Sequence, residues 1–141
     1  MIIVDAGYFY ALADASDAWH VRAKRALSTQ SEGWVTTWPV LTEATHLLNR
    51  WIGTDAAHAL IRDVAAGGIA VWQWGAPQTE RLAHLLERYA NLPMDLADGS
   101  LVLLAEHLGH GRILTTDERD FGAYRFKNHA PFQNLLAGVR H

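Results

Sequence analysis

Four acidic side chains stand where folding could bring carboxylates together: Asp5, Glu43, Asp98 and Asp117. Asp5 closes the apolar run Ile2-Ile3-Val4, and Asp117 follows Ile113-Leu114-Thr115-Thr116, so each falls at the C-terminal end of a strand-type segment. In open parallel sheets that end is where ligands bind, in the crevice at a topological switch point. Each of the two has a competing use as the cap of the turn or helix that follows, because aspartate accepts helix-start N–H groups well. Asp95 and Asp98 are spaced to share one face of a helix near its positive end. Asp95 has the position of an N-cap. Asp98 lies one turn in, followed by Gly99 and a dense apolar run, the setting of a crevice floor that something approaches closely. Glu43 falls on the flank of the stripe Val40, Ala44, Leu47, Leu48 and Trp51, aimed either into a neighbouring cleft or at Arg50.

If three or four of these acids converge, each close pair repels by about 1 to 4 kcal/mol, depending on the local dielectric. Such a cluster calls for a cation. An all-oxygen donor set favours a hard divalent ion, Mg²⁺ or Mn²⁺, over zinc. The histidines offer no competing pattern: there is no H-E-x-x-H, and His107 and His110 straddle Gly109. Walker, G-x-G-x-x-G and G-x-S-x-G sequences are absent, which removes the nucleotide-cofactor and serine-hydrolase classes. Without cysteine there is neither disulfide nor thiolate chemistry.

The acids need a scaffold, and the pattern supplies one. Short β-type runs alternate with longer helix-type runs, which predicts an α/β fold on a parallel sheet. Strands are expected over 2–5, 34–37, 69–74 and 112–116, with a further edge strand after Tyr124 and a frayed end. Helices are expected over 8–15, 17–30 with Ser16 as N-cap, 39–51, 54 to the Gly67-Gly68 pair, 77–90 and 95–108. The chain of 141 residues fits one domain over 1–141. No apolar run reaches membrane length and no signal-type N-terminus is seen, so no membrane partner and a cytoplasmic location are expected.

A formal charge of −3 argues against sequence-independent nucleic-acid binding through bulk electrostatics. Local contact is the alternative, and Arg119, Arg125 and Lys127, interleaved with Phe121, Tyr124 and Phe126, could provide it. The more ordinary reading is a solvated edge with the aromatics packed inward, since aromatic positions are so often simply core. The six tryptophans, at 19, 34, 38, 51, 72 and 74, belong either to the core or, in part, to a partner surface.

Taken in order, I-I-V-D ending in Asp5, T-E-A around Glu43, P-M-D-L-A-D-G-S-L-V-L-L-A-E containing Asp98, and I-L-T-T-D-E-R-D-F containing Asp117 resemble PIN-domain ribonucleases. Within these, the chain is similar to the VapC-type toxins of bacterial toxin–antitoxin pairs, over almost its whole length. The resemblance implies a PIN-like α/β/α sandwich with a central parallel sheet of four to five strands. It implies that the four acids hold Mg²⁺ or Mn²⁺ and that the enzyme cuts single-stranded parts of RNA. It also implies a homodimer and a cognate antitoxin that packs on an apolar groove and sends residues toward the acids. Thr116 matches a hydroxyl often found beside the last acid, and Asp95 and Asp120 are second-rank members of the site. Two departures stand out: Ala6-Gly7 where relatives carry serine or threonine after the first acid, and Gly99 where alanine is common. A non-catalytic PIN-like RNA- or protein-binding module, and a metal-dependent phosphatase or DNA nuclease, are the alternative functions.

Overall fold

In the computed structural model, which describes residues 1–137, the apolar runs form the strands of one sheet. These are β1 (Ile2–Val4), β2 (Trp34–Thr36), β3 (Ile69–Val71) and β4 (Arg112–Leu114), joined at one edge by β7 (Gln133–Asn134). The order is β3-β2-β1-β4-β7, and every pairing in it is parallel. β1 is therefore central, its three residues fully buried, as expected where helices cover both faces of a sheet.

The helices are α1 (Ala6–Ala13), α2 (His20–Thr29), α3 (Trp38–Trp51), α4 (Thr54–Ala65), α5 (Ala76–Arg88), α6 (Leu96–Leu108) and α7 (Glu118–Ala123). Flanking the sheet, they give the expected α/β/α arrangement with five strands. α6 is buried from Gly99 to Ala105, the signature of a helix enclosed on all sides. It starts at its N-cap Asp95 and stops at Gly109, whose left-handed φ of 80° is cheap only for glycine. No helix of the described residues is long and apolar enough to cross a membrane.

Several local expectations are corrected. α2 starts at His20 rather than residue 17, and Ser16 is not its cap. Asp14 accepts both the N–H and the hydroxyl of Ser16, and Asp17 Oδ1 accepts the Trp19 N–H at 2.8 Å, so consecutive side-chain turns delay the helix. α1 starts earlier, at Ala6, because Asp5 caps it. β3 ends at Val71, not 74. The expected edge strand after Tyr124 exists as β7, but a small antiparallel pair precedes it, β5 (Arg125–Phe126) with β6 (Ala130–Pro131). The frayed end falls outside the described residues.

The turn between β5 and β6 carries Lys127 and Asn128 at positive φ, 50° and 66°. Arg81 and Arg88 both donate to Asn128 Oδ1 at 2.9 Å, and Arg81 forks onto Glu106 at 3.1 and 2.9 Å. These bonds from α5 and α6 hold a backbone shape that non-glycine residues otherwise avoid. The aromatics Phe121, Tyr124 and Phe126 are buried, so in the basic-aromatic stretch they pack inward. Of the tryptophans, Trp38 and Trp51 are exposed, while the other four pack half-buried against the core.

Gly111 lies where this C-terminal segment crosses the start of β4: its carbonyl accepts the Gln133 N–H at 2.8 Å. A Cβ there would stand 2.7 Å from Phe126 Cε1 and 3.1 Å from the Phe132 backbone Cα. Gly111→Ala is therefore expected to destabilise the protein by about 1–3 kcal/mol through overpacking. The check is a urea titration, in which the midpoint falls while the slope is retained; an unchanged midpoint would show that the segment yields freely.

Candidate active site

The C-terminal ends of β1 and β4 open into a cleft of about 360 Å³. Its lining includes Asp5, Glu43, Asp98 and Asp117, together with Asp95, Thr116 and Asp120. All seven residues singled out from the sequence thus meet in one place, though they come from segments spread over most of the chain.

Asp5 is the most enclosed, only 6% exposed. Its Oδ1 accepts the Ala6 N–H at 2.8 Å, capping α1, and its Oδ2 accepts the Thr115 hydroxyl, also at 2.8 Å. The same Thr115 oxygen accepts the Asp117 N–H at 3.0 Å. One fully buried hydroxyl therefore ties the acid after β1 to the acid after β4. Asp117 caps α7 by accepting the Asp120 N–H at 3.0 Å, and Asp95 caps α6 by accepting the Asp98 N–H at 2.8 Å. Asp98 itself, half-buried, accepts the Tyr124 hydroxyl on Oδ2 at 2.9 Å. Glu43 lines the cleft from α3, and Arg50 packs over the Trp51 ring instead of pairing with it.

Sequence reasoning missed two of these contacts. Thr115, not Thr116, bonds the acids; adjacent threonines give no signal to separate them. Thr116 faces the cleft instead, and a Cβ at position 7 would overlap its hydroxyl, so Gly7 is the residue that makes room for it. Tyr124, one of the aromatics that could line a nucleic-acid edge or pack inward, is fully buried, and its hydroxyl reaches Asp98. Arg119, from the same stretch, does reach the cleft rim, where its Nε lies 3.2 Å from Asp120 Oδ1.

Burial and crowding push every one of the four acids upward. Asp98 rises to about 8, first through burial, then through the charges of Asp95 and Asp5. Asp5 rises to about 6, again chiefly by burial, which outweighs its bonds to Thr115 and Ala6. Glu43, exposed as a residue, still rises to about 7 through desolvation of its carboxyl and the neighbouring Asp5, Asp95 and Asp117. Asp117 rises as well, burial being the main cause. At neutral pH the cluster cannot carry its full charge on its own.

A cation removes that conflict, and the donor set suits a hard one. Among the described residues no three acidic or histidine side chains are close enough to form a ready-made cage. An all-carboxylate donor set is the kind that a hard divalent ion would take, Mg²⁺ through one or two carboxylates with retained waters. Asp98 Oδ1 is outside the tyrosine contact, and each Asp5 oxygen, bonded once, keeps a second lone pair.

The cleft continues past Glu43 and Asp95 into a trough of about 720 Å³ walled by Trp38, Pro39, Thr42, His46, Leu96 and Ala97. Trp38 and Pro39 also border a smaller hollow with Trp72 and Trp74. Neither lining contains lysine or arginine.

The chain is similar to known proteins over most of its length. The family model for the PIN domain matches residues 2–127. Ribonuclease VapC26 of Mycobacterium tuberculosis is 28% identical over 124 residues, spanning 88% of this chain and 92% of that protein. The crystal structure of VapC20 from the same species, a sarcin-ricin loop cleaving toxin, aligns with a TM-score of 0.77 at 26% identity, covering 84% of this chain and 92% of that one. The matched span takes in every acid of the cleft, both relatives are VapC proteins, and the chain belongs to the PIN domain family.

Proposed function

We propose that the protein is a Mg²⁺- or Mn²⁺-dependent endoribonuclease, the toxin of a toxin–antitoxin pair, which hydrolyses phosphodiester bonds in single-stranded RNA. The observation that carries this reading is the convergence of buried, upward-shifted carboxylates at the ends of β1 and β4. Asp5 and Asp98 are the principal ligands, with Asp117 and Glu43 orienting water around them. Asp95, Thr116 and Asp120 complete the wall. When bound, the ion activates water and neutralises phosphate charge. The rest falls to the protein: Thr115 holds Asp5 in place and fixes the backbone of Asp117, and the walls exclude bulk solvent from Asp5.

RNA as substrate draws support from the two relatives, one a ribonuclease and the other a sarcin-ricin loop cleaving toxin. The trough favours unpaired strands in this reading, since the exposed Trp38 offers a face to a base while the described lining holds no lysine or arginine for phosphate. An apolar groove of about 260 Å³ lined by Phe9, Leu12, Trp34, Leu48, Leu60 and Ile69 is suited to an antitoxin segment. Trp51 and Ile52, exposed at the end of α3, are apolar side chains that a homodimer would cover. A cytoplasmic setting fits an RNA substrate and the absence of cysteine.

Asp98→Asn is expected to lower Mn²⁺-dependent cleavage of single-stranded RNA by about 100-fold or more while circular dichroism stays native. Wild-type activity in that variant would remove Asp98 from the site.

The raised acids also make stability depend on pH. Each titrates higher in the folded chain than in the unfolded one, so the favourable contribution exists below the ordinary carboxylate range. It is lost as pH rises through about 6 for Asp5, 7 for Glu43 and 8 for Asp98. His110, lowered chiefly by burial, acts in the opposite sense, so the comparison between wild type and Asp98→Asn isolates the cluster. With chelator present, the wild-type melting temperature should fall from mildly acidic to mildly alkaline pH, and the variant's should fall less. Mn²⁺ should raise the wild-type value more at the alkaline end; equal elevation at both ends would contradict a carboxylate site.

Trp38→Ala should raise KM for a single-stranded oligonucleotide by roughly 5- to 100-fold, the contribution of one stacked base. An unchanged KM would take the trough out of substrate binding.

A further inference from the structure

Tyr124 links the acid of α6, Asp98, to α7, the helix capped by Asp117 after β4. It closes α7 at the C-terminal end, its N–H bonding to the Asp120 carbonyl at 2.9 Å, while Asp117 caps the other end from within the cleft. Its hydroxyl donates to Asp98 Oδ2 at 2.9 Å. The ring is fully buried and held edge-on by Phe121 and Tyr89, each with a centroid 5.1 Å away at interplanar angles of 86° and 73°. Tyr89 is anchored in turn, its hydroxyl accepting the Arg125 N–H at 3.1 Å. Phe121 meets Phe132 at 5.3 Å, and Phe132 meets Phe126 at 5.5 Å. The phenol is thus fixed by α5, α7 and the C-terminal hairpin, and its one polar atom is spent on a cleft acid.

Packing alone does not require that atom. A phenylalanine would fill the same space between Phe121 and Tyr89, and a buried hydroxyl without a partner would be unfavourable. Asp98 supplies the partner. In return the acid loses rotational freedom: with Oδ2 tied to a rigid ring, the carboxylate keeps one orientation, and Oδ1 is left outside the contact. Groups that orient a ligand in this way typically carry 10- to 100-fold in metal affinity or activity.

We propose that Tyr124 is a positioning residue whose hydroxyl locks the Asp98 carboxylate in its cation-binding orientation and so sets the affinity of the cleft for a divalent ion. This rests on the reading of the cleft as a Mg²⁺ or Mn²⁺ site. Tyr124 is also the C-cap of α7, the helix whose N-cap is Asp117, so the phenol and that second acid stand at opposite ends of one short helix.

The test is calorimetric titration of Mn²⁺ into wild type, Tyr124→Phe and Tyr124→Leu without RNA, alongside melting in chelator and cleavage as a function of Mn²⁺ concentration. Tyr124→Phe should bind Mn²⁺ about 10- to 100-fold more weakly, melt close to wild type in chelator, and regain much of its cleavage rate at saturating Mn²⁺. Tyr124→Leu, which loses the ring, should melt clearly lower. Mn²⁺ affinity in Tyr124→Phe indistinguishable from wild type would overturn the inference while leaving the cleft reading intact. So would a Tyr124→Phe melting loss as large as that of Tyr124→Leu, which marks a packing role. A wild-type protein that takes up no Mn²⁺ would overturn the cleft reading and this inference together.

Discussion

Asp5 ends the central strand of the sheet with both carboxylate oxygens already engaged, one by the Ala6 amide and one by the Thr115 hydroxyl. That pair of bonds fixes much of what surrounds it. The first begins α1 directly after β1, with no connecting loop, and the second joins the end of β1 to the end of β4. Because the Thr115 oxygen also accepts the Asp117 N–H, the two strand ends cannot separate without breaking a buried, charge-assisted contact. The parallel register of Ile3 with Ile113 and Val4 with Leu114 brings Asp5 and Thr115 level. The sheet is thus the ruler that sets the spacing of the acids.

A cluster of acids this enclosed would be costly if nothing offset it, and the fold supplies part of the offset through backbone dipoles. Asp5, Asp95 and Asp117 are the N-caps of α1, α6 and α7. Three helix starts therefore face one cleft, each bringing partial positive charge and N–H donors to a carboxylate. The offset is incomplete: burial still outweighs the hydrogen bonds at Asp5 and Asp98. The remaining imbalance is what the proposed divalent ion would relieve. It also explains why capping and cleft-lining were competing readings of the same aspartates in the sequence. Both hold, because the geometry that caps a helix at the end of a parallel strand is the geometry that faces the crevice.

What the sequence made legible follows from range. The strands and the central helix could be placed because their apolar periods are local, and Asp5, Asp98 and Asp117 could be picked out because each sits against such a period. Glu43 needed the family resemblance, since a carboxylate on the flank of a helix has a local use as an ion-pair partner. The start of α2 was placed too early because the side-chain turns of Asp14 and Asp17 compete with the helix over a few residues. Thr115 and Tyr124 were out of reach for a different reason. Their partners lie 110 and 26 residues away, and composition gives no sign of which threonine, or which aromatic of a basic stretch, turns inward.

An acidic chain that acts on a polyanion has to solve an electrostatic problem, and the layout of the cleft bears on how. Among the described residues Arg119 is the only basic side chain in the cleft lining, and it is paired with Asp120 at the rim. Phosphate attraction from the protein is therefore weak, and a bound cation would have to supply most of it. Beyond Glu43 the wall carries the exposed Trp38 with Pro39, Leu96 and Ala97, and among the described residues it holds no lysine or arginine. Such a surface gains from stacking, which any unpaired base offers and a paired one withholds. On the proposed function, selection for single strands would need no base-specific hydrogen bonds: the carboxylates would admit phosphate only with a cation, and the trough would reward bases already free of a duplex. Dependence on metal and preference for unpaired strands would both follow from one feature, a cleft built of carboxylates and aromatics with almost no lysine or arginine.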